Sequence, residues 1–170
     1  MTSRDPTAGG RTPRSAPRAP RTIVYVDGFN LYYGAVKGTP HKWLDLEALC
    51  RRLLPRDEIV RIRYFTARIS ARRDDPQQAV RQETYLRALN TLPLVETHFG
   101  HYVTRRTRMP LATAPKRGSR TVEVLKTEEK GSDVNLATYL LLDAFRGQCD
   151  TSVVISNDSD LAEPVRIART

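Results

Sequence analysis

Apolar side chains along this chain fall into short blocks of two periods. Ile23-Val24-Tyr25-Val26 is an unbroken β-branched and aromatic run closed by Asp27-Gly28, which predicts a buried strand. Residues 46–54 put Ala48, Leu49 and Leu53 on one helical face, with Asp45 before them as a start signal and Pro55 after them as a stop. Residues 58–68 alternate and predict a second strand. Asp75-Pro76-Gln77-Gln78 reads as a helix start, with Asp75 as cap, Pro76 in the first helical position and Gln78 completing a capping box. Val80, Thr84, Ala88 and Leu92 then share a face, with Tyr85 and Leu89 beside them, and Pro93 ends the helix. Residues 94–103 form a third β-type run, and residues 121–125 predict a short strand. Gly131-Ser132 opens a helix carrying Leu136, Ala137, Leu140, Leu141 and Ala144, and Gly147 lies just past its end, where a left-handed cap is wanted. Val153-Val154-Ile155 is the next buried strand, and a last helix begins near Asp160.

The order is β-α-β-α-β, an insertion, then α-β-α. Short apolar strands separated by helices predict an α/β fold: a three-layer sandwich with a mainly parallel sheet covered on both faces. A chain of 170 residues fits one such domain, placed at residues 23–170. Residues 1–22 carry Arg4, Arg11, Arg14, Arg18 and Arg21 against the single acid Asp5, with four prolines and almost no large apolar side chain. That composition predicts a disordered basic tail. No apolar run is long enough for a membrane-spanning helix, and no secretory signal is visible, so a cytoplasmic location without a membrane partner is expected. Cys50 and Cys149 are far apart and form no zinc or redox spacing, which predicts two reduced, buried thiols.

Charge adds a partner class. The formal net charge is +9, which favours a polyanion. Residues 103–120 contain Arg105, Arg106, Arg108, Lys116, Arg117 and Arg120 and no acid. Pro110, Pro115 and Gly118 argue against regular structure there, so this stretch is expected to be a basic loop. It reads equally as a nucleic-acid contact and as a solvated, mobile connection.

Ligands in open α/β sheets collect at the carboxyl ends of the strands. Asp27 follows the first strand, Asp158 and Asp160 follow the strand at Val153, and Asp133 opens a helix whose start faces the same edge. Carboxylates gathered in this way repel, and a cation relieves the repulsion. With no His or Cys among them, the donors favour Mg²⁺ or Mn²⁺, the setting for metal-assisted phosphodiester hydrolysis. Each acid also has a simpler local role. Asp133 suits a helix dipole, Asp160 can cap the last helix with Glu163 in the capping-box place, and Asp27 can be a turn residue before Gly28. His41, His98 and His101 are scattered and suggest no metal triad.

Three segments carry a family resemblance. Val26-Asp27-Gly28-Phe29-Asn30 resembles the opening motif of the NYN branch of PIN-like nucleases. Lys130-Gly131-Ser132-Asp133-Val134-Asn135-Leu136-Ala137 is similar to its central motif, and Ser156-Asn157-Asp158-Ser159-Asp160-Leu161 to its third. The resemblance implies a Rossmann-like sheet of order 3-2-1-4-5 and a divalent-metal site that cleaves RNA. It makes Asp27, Asp133 and Asp158 metal ligands, lets Asp160 complete the acidic ring, and has Asn30 position a water or the scissile phosphate. Lys130 is a candidate phosphate contact, Glu129 a candidate outer acid, and Tyr32 and Tyr33 are candidates for base stacking or for the core. Family members continue past the third motif through a further strand. The order expected here is therefore 3-2-1-4 with the fifth strand missing. That would leave an exposed edge, which pairing in a homodimer would cover.

Two other functions remain open at this point. Some NYN-type sequences are assigned as NADH-dependent hydroxylases of a succinylated hydroxypyridine, and residues 38–46 and 130–139 are similar to that subgroup. No Gly-x-Gly-x-x-Gly loop supports the usual manner of dinucleotide binding. A non-catalytic RNA-binding module is the third reading.

Overall fold

A computed structural model of the chain describes residues 18–71, 74–113 and 115–169. Most of the expected tail, residues 1–17, lies outside them. Its last two residues do not belong to a tail at all. Arg21 and Thr22 begin strand β1 (Arg21–Asp27), where the Arg21 amide donates to Asp150 Oδ2 at 2.9 Å and the Thr22 hydroxyl donates to Asp57 at 2.7 Å.

β1 sits inside the sheet. It pairs in parallel with β2 (Glu58–Ala67) on one side and with β5 (Thr151–Ile155) on the other. β2 pairs in parallel with the first part of β3 (Val95–Pro110), and β3 pairs antiparallel with β4 (Thr121–Lys130). The sheet order is β4-β3-β2-β1-β5. The mainly parallel sheet agrees with expectation, but the strand count does not. The sheet has five strands, the extra one being antiparallel β4 outside β3, and β5 forms the opposite edge.

The unbroken apolar run of β1 is explained by burial on both faces. Val24 and Val26 join Leu46, Cys50, Ile62, Tyr64, Leu86, Leu89 and Val95 on one side, under α2 (Leu46–Leu53) and α3 (Gln78–Leu89). Ile23 and Tyr25 join Phe65, Leu136, Leu140 and Leu161 on the other, under α4 (Ser132–Phe145) and α5 (Ala162–Ala168). A short α1 (Gly28–Leu31) and a π-helical turn at Tyr32–Val36 follow β1 directly. Neither carries a periodic apolar signal.

The helices were placed better than their faces. Asp45 caps α2 as expected, accepting from the Ala48 amide at 3.0 Å. The buried side of α2 is nevertheless Leu46 and Cys50, while Leu53 is exposed. In α3 the side chains turned inward are Tyr85, Leu86 and Leu89, and Val80 is exposed. Asp75 does not cap α3. The helix starts at Gln78 without a side-chain cap, and Asp75 pairs with Arg81 instead. Cys50 and Cys149 are free thiols, Cys50 buried and Cys149 half-buried.

The supposed basic loop is the larger correction. β3 runs on through Arg105, Arg106 and Arg108 to Pro110, and β4 answers it residue by residue from Thr121 to Lys130. The two form a ribbon that extends past the parallel sheet. The acids that the basic stretch lacks lie across the ladder, as in the Arg105–Glu128 ion pair at 3.2 Å. β-Branched and alternating residues on both strands outweigh Pro110, which falls at the strand end, where its missing N–H costs little. Gly100 marks the point where β3 leaves the parallel sheet. A Cβ there would lie 2.1 Å from Glu129 Oε1 and 2.6 Å from the Lys130 carbonyl oxygen, so only glycine lets the ribbon close.

One buried ion pair crosses the layers. The Arg63 guanidinium on β2 grips Asp143 on α4 with two hydrogen bonds, 2.8 and 3.0 Å. Tyr25 on β1 donates to the same carboxylate at 2.9 Å. Arg63 also donates to Glu96 on β3 at 2.7 Å and lies over the Tyr139 ring at 4.4 Å. His98 packs between Phe65 and Tyr139 beside it. Removing one partner of such a pair strands the other charge. Asp143→Ala is expected to lower unfolding free energy by about 3–5 kcal/mol in urea titrations, and a loss below about 1 kcal/mol would remove the pair's anchoring role.

Candidate active site

Asp27 ends β1 and is 2% exposed. It caps α1: its Oδ1 accepts from the Asn30 amide at 3.0 Å, while Oδ2 accepts from the Asn30 side-chain amide. Gly28 between them is required by space. A Cβ on it would lie 2.6 Å from the Tyr64 ring and 2.8 Å from the Phe65 carbonyl oxygen. The Asp-Gly-Phe-Asn sequence therefore folds the chain sharply over the end of β2 and locks the carboxylate in place.

A second chain of hydrogen bonds comes from the segment after β5. Ser156 Oγ donates to Asp27 Oδ2 at 3.0 Å and accepts from the Asp158 amide at 3.1 Å. Asp158 Oδ1 in turn accepts from the Asp160 amide at 2.9 Å, capping a 3₁₀ turn at Ser159–Leu161. Asp160 therefore does not cap the last helix; Asp158 caps the turn leading into it, and Asp160 stays exposed.

α4 supplies the third side. Gly131 precedes it in a left-handed conformation, φ 98°, which aims the helix start at the strand ends. Glu129 accepts from the Ser132 amide at 3.2 Å and from its hydroxyl at 2.7 Å. Asp133 stands half-buried in the first turn. Burial first, then the charges of Asp27, Asp158, Glu129 and Asp160, hold its carboxyl above the usual range. Asp27, Asp158 and Asp160 thus all lie close enough to act on Asp133, and Asn30 is bonded to the most buried of the four.

The predicted basic contacts are not part of this cluster. Lys130 pairs with Glu128 at 3.6 Å. Arg105, Arg106 and Arg108 lie along β3 in the ribbon, where Arg108 donates to the Thr121 hydroxyl at 3.1 Å. Lys116 and Arg117 are exposed in the connection between β3 and β4. Tyr32 and Tyr33 are exposed too, 38% and 57%, so core packing is not their role. Ser156 was given no role by the sequence reading. A serine two residues ahead of an aspartate is a turn signal, but its reach across to Asp27 is a tertiary fact.

The donor chemistry fits a hard cation. Asp27 accepts three hydrogen bonds and a carboxylate offers about four acceptor directions, so a direction remains open. Asp133 bears a repulsion that a cation would relieve. Among the described residues, no three acids, histidines or cysteines stand close enough to hold a single ion as arranged.

A mainly parallel sheet under helices, with acids near its carboxyl edge, defines an α/β domain of the PIN-like kind. The chain belongs to the NYN domain family, whose domain matches residues 21–170. It is also 36% identical over 177 residues to the 6-hydroxy-3-succinoylpyridine 3-monooxygenase HspA of Pseudomonas putida (strain DSM 28022 / S16). That alignment covers 88% of this chain and 55% of HspA, so the chain spans little more than half of that relative's length. No solved structure matches. No helix among the described residues is long and apolar enough to cross a membrane.

The raised carboxyl of Asp133 has a consequence for stability. The folded protein disfavours its charged form, so the cost is present above the folded pKa and absent well below the ordinary carboxylate range of about 4. In EDTA-treated protein, Asp133→Asn is expected to raise Tm at pH 7, with the gain shrinking as the pH falls towards 4. A Tm that drops at pH 7 would contradict a repulsive ring.

Proposed function

We propose that this domain is a ribonuclease that uses Mg²⁺ or Mn²⁺ to hydrolyse RNA phosphodiester bonds at the acidic edge. The observation that carries the reading is Asp27, a 2%-exposed carboxylate at the C-terminal end of β1, near Asp133, whose carboxyl is held high by burial and by the charges of Asp27, Asp158, Glu129 and Asp160. Asp27, Asp133 and Asp158 are the residues to hold the ion, and Asp160 completes the ring. A bound ion of this kind supplies a Lewis acid for the phosphoryl oxygen and a water of lowered pKa.

The chain's own part is positioning. Asn30 and Ser156 fix the Asp27 carboxylate from two sides, as outer partners fix a metal ligand. Asn30 has its side-chain amide at the same place, where it can orient a water or a phosphate oxygen. The exposed Arg106, Arg108, Lys116 and Arg117 of the ribbon give RNA a cationic track towards the acids, and Lys130 and Arg105 border it.

Asp27→Asn is expected to abolish cleavage of a mixed single-stranded and structured RNA panel in Mn²⁺, as EDTA does, with far-UV circular dichroism unchanged. Ser156→Ala should reduce the rate by about ten- to a hundred-fold. Wild-type cleavage by Asp27→Asn would eliminate the chemistry. For the track, replacing Arg106 and Arg108 by Gln should weaken RNA binding and reduce the slope of log affinity against log salt by about 1–2. An unchanged slope would take the ribbon out of the interface.

The relative named as a monooxygenase favours a second reading, NADH-dependent hydroxylation of a hydroxypyridine on the same scaffold. NADH consumption that depends on such a pyridine, with no RNA cleavage, would decide for it. If neither activity is seen and RNA is still bound, a non-catalytic binding module is left.

A further inference from the structure

Next to Asp27 in the chain, Gly28 borders a pocket of about 370 Å³, within the size range of small-ligand sites. Gly28 and Phe29, which follow Asp27 in the chain, form part of its wall. Aromatic rings from three parts of the chain stand around the rest of it. Tyr32 and Tyr33 come from the turn after α1, Trp43 from the segment before α2, and Tyr85 from α3. Tyr33 and Trp43 are each 57% exposed, so these rings are not there to complete the core. Tyr32 meets Tyr33 edge-on at 5.1 Å, and Trp43 meets Tyr85 at 6.4 Å. Lys37 and Lys42 also line the pocket, with the Lys37 ammonium 4.8 Å over the Tyr33 ring.

We propose that this pocket takes an unpaired nucleobase of single-stranded RNA, next to the phosphate presented to the acids. The choice of nucleobase rests on the ribonuclease reading above. The chemistry that recommends it is on the pocket's own walls. Exposed aromatic faces bind planar rings by stacking, and the charged residues of the lining, Lys37, Lys42 and Arg81 against Asp74 and Asp75, leave a positive balance that suits a ring tethered to phosphate. The backbone between Asp27 and Gly28 is shared by the two sites, so one nucleotide can have its base in the pocket while its phosphate reaches the acids.

The pocket stacks but does not read. Several polar groups around it are already engaged: the Gln82 amide donates to the Ala67 carbonyl oxygen and accepts from the Ile69 amide, both at 2.9 Å, and the Tyr85 hydroxyl donates to the Leu44 carbonyl oxygen at 2.9 Å. Arg81 is paired with Asp75. Few groups remain to tell one base edge from another, so purines and pyrimidines should bind within a few-fold of each other.

Trp43 is the chain's single tryptophan, so its fluorescence reports on the pocket directly. AMP and UMP should quench the full chain saturably, while ribose 5-phosphate, which has no base, should not. Tyr33→Ala should weaken both nucleotides about ten-fold with the fold intact by circular dichroism. Asp27→Asn should keep the quenching while losing RNA cleavage, which separates the two sites. Saturable quenching in a protein that cuts no RNA would uphold the pocket and sink the nuclease reading. No quenching by either nucleotide, or equal quenching by ribose 5-phosphate, would overturn the pocket even if RNA is cut. Quenching by a hydroxypyridine carboxylate and not by nucleotides would overturn the nucleobase.

Discussion

The geometry of the acidic edge depends on a pair of charges far from it. Arg63 and Asp143 are 7% and 4% exposed at the side chain, and together with Tyr25 they bolt α4 across β1 and β2. Asp133 lies on that same helix three turns away, and Asp27 lies at the end of β1. The distance between the two acids is therefore set by where the helix is fastened. A buried ion pair adds little net stability compared with a well-packed apolar contact. Its value here is directional: a fork of two hydrogen bonds fixes a helix in rotation and translation, which apolar packing does less sharply. Burial and the Arg63 charge also keep the neighbouring His98 below its ordinary pKa, so no second positive charge arises beside Arg63 at neutral pH.

The layers and the gathering of acids near one edge are legible in the sequence because both depend on short-range patterns. The Ile23-Val24-Tyr25-Val26 run can be satisfied only between two apolar layers, and an aspartate directly after such a strand has few places to go but the carboxyl edge. The ordered motifs added Asn30, for which periodicity offers no signal. Several features could not be read locally. The faces of α2 and α3 were misjudged because Leu53 and Val80 fit the helical period but lie beyond the reach of the sheet. The ribbon was mistaken for a loop because its acids sit on the other strand, so the charge imbalance of residues 103–120 disappears only once the strands pair. Asp143 sits on a helix in an apolar stretch, and nothing near it in sequence announces Arg63, eighty residues earlier.

The acidic edge is held together by the same donors that hold the chain. Asn30 and Ser156 each bond Asp27, one from the turn after β1 and one from the segment after β5. The Asp158 carboxylate is then held by the Asp160 backbone amide rather than by a basic side chain. A lysine or arginine in the ring would quiet the repulsion but would compete with a cation. Using amides and a hydroxyl keeps the acids in place and leaves their charge unspent. The HspA relationship and the NYN match agree on this scaffold, while the chemistry performed on it is the open variable that fold alone does not fix.

The ribbon gives the site a mechanical side. Ten paired positions carry β3 and β4 outward from His101 and Lys130, about 30 Å at the usual rise per residue. β4 then turns directly into α4 through Gly131, whose left-handed backbone stands two residues before Asp133. One unbroken ladder therefore ties the exposed Lys116 and Arg117 beyond its far end to the first turn of α4, so the reach of the arm and the placing of Asp133 share a single covalent joint at Gly131.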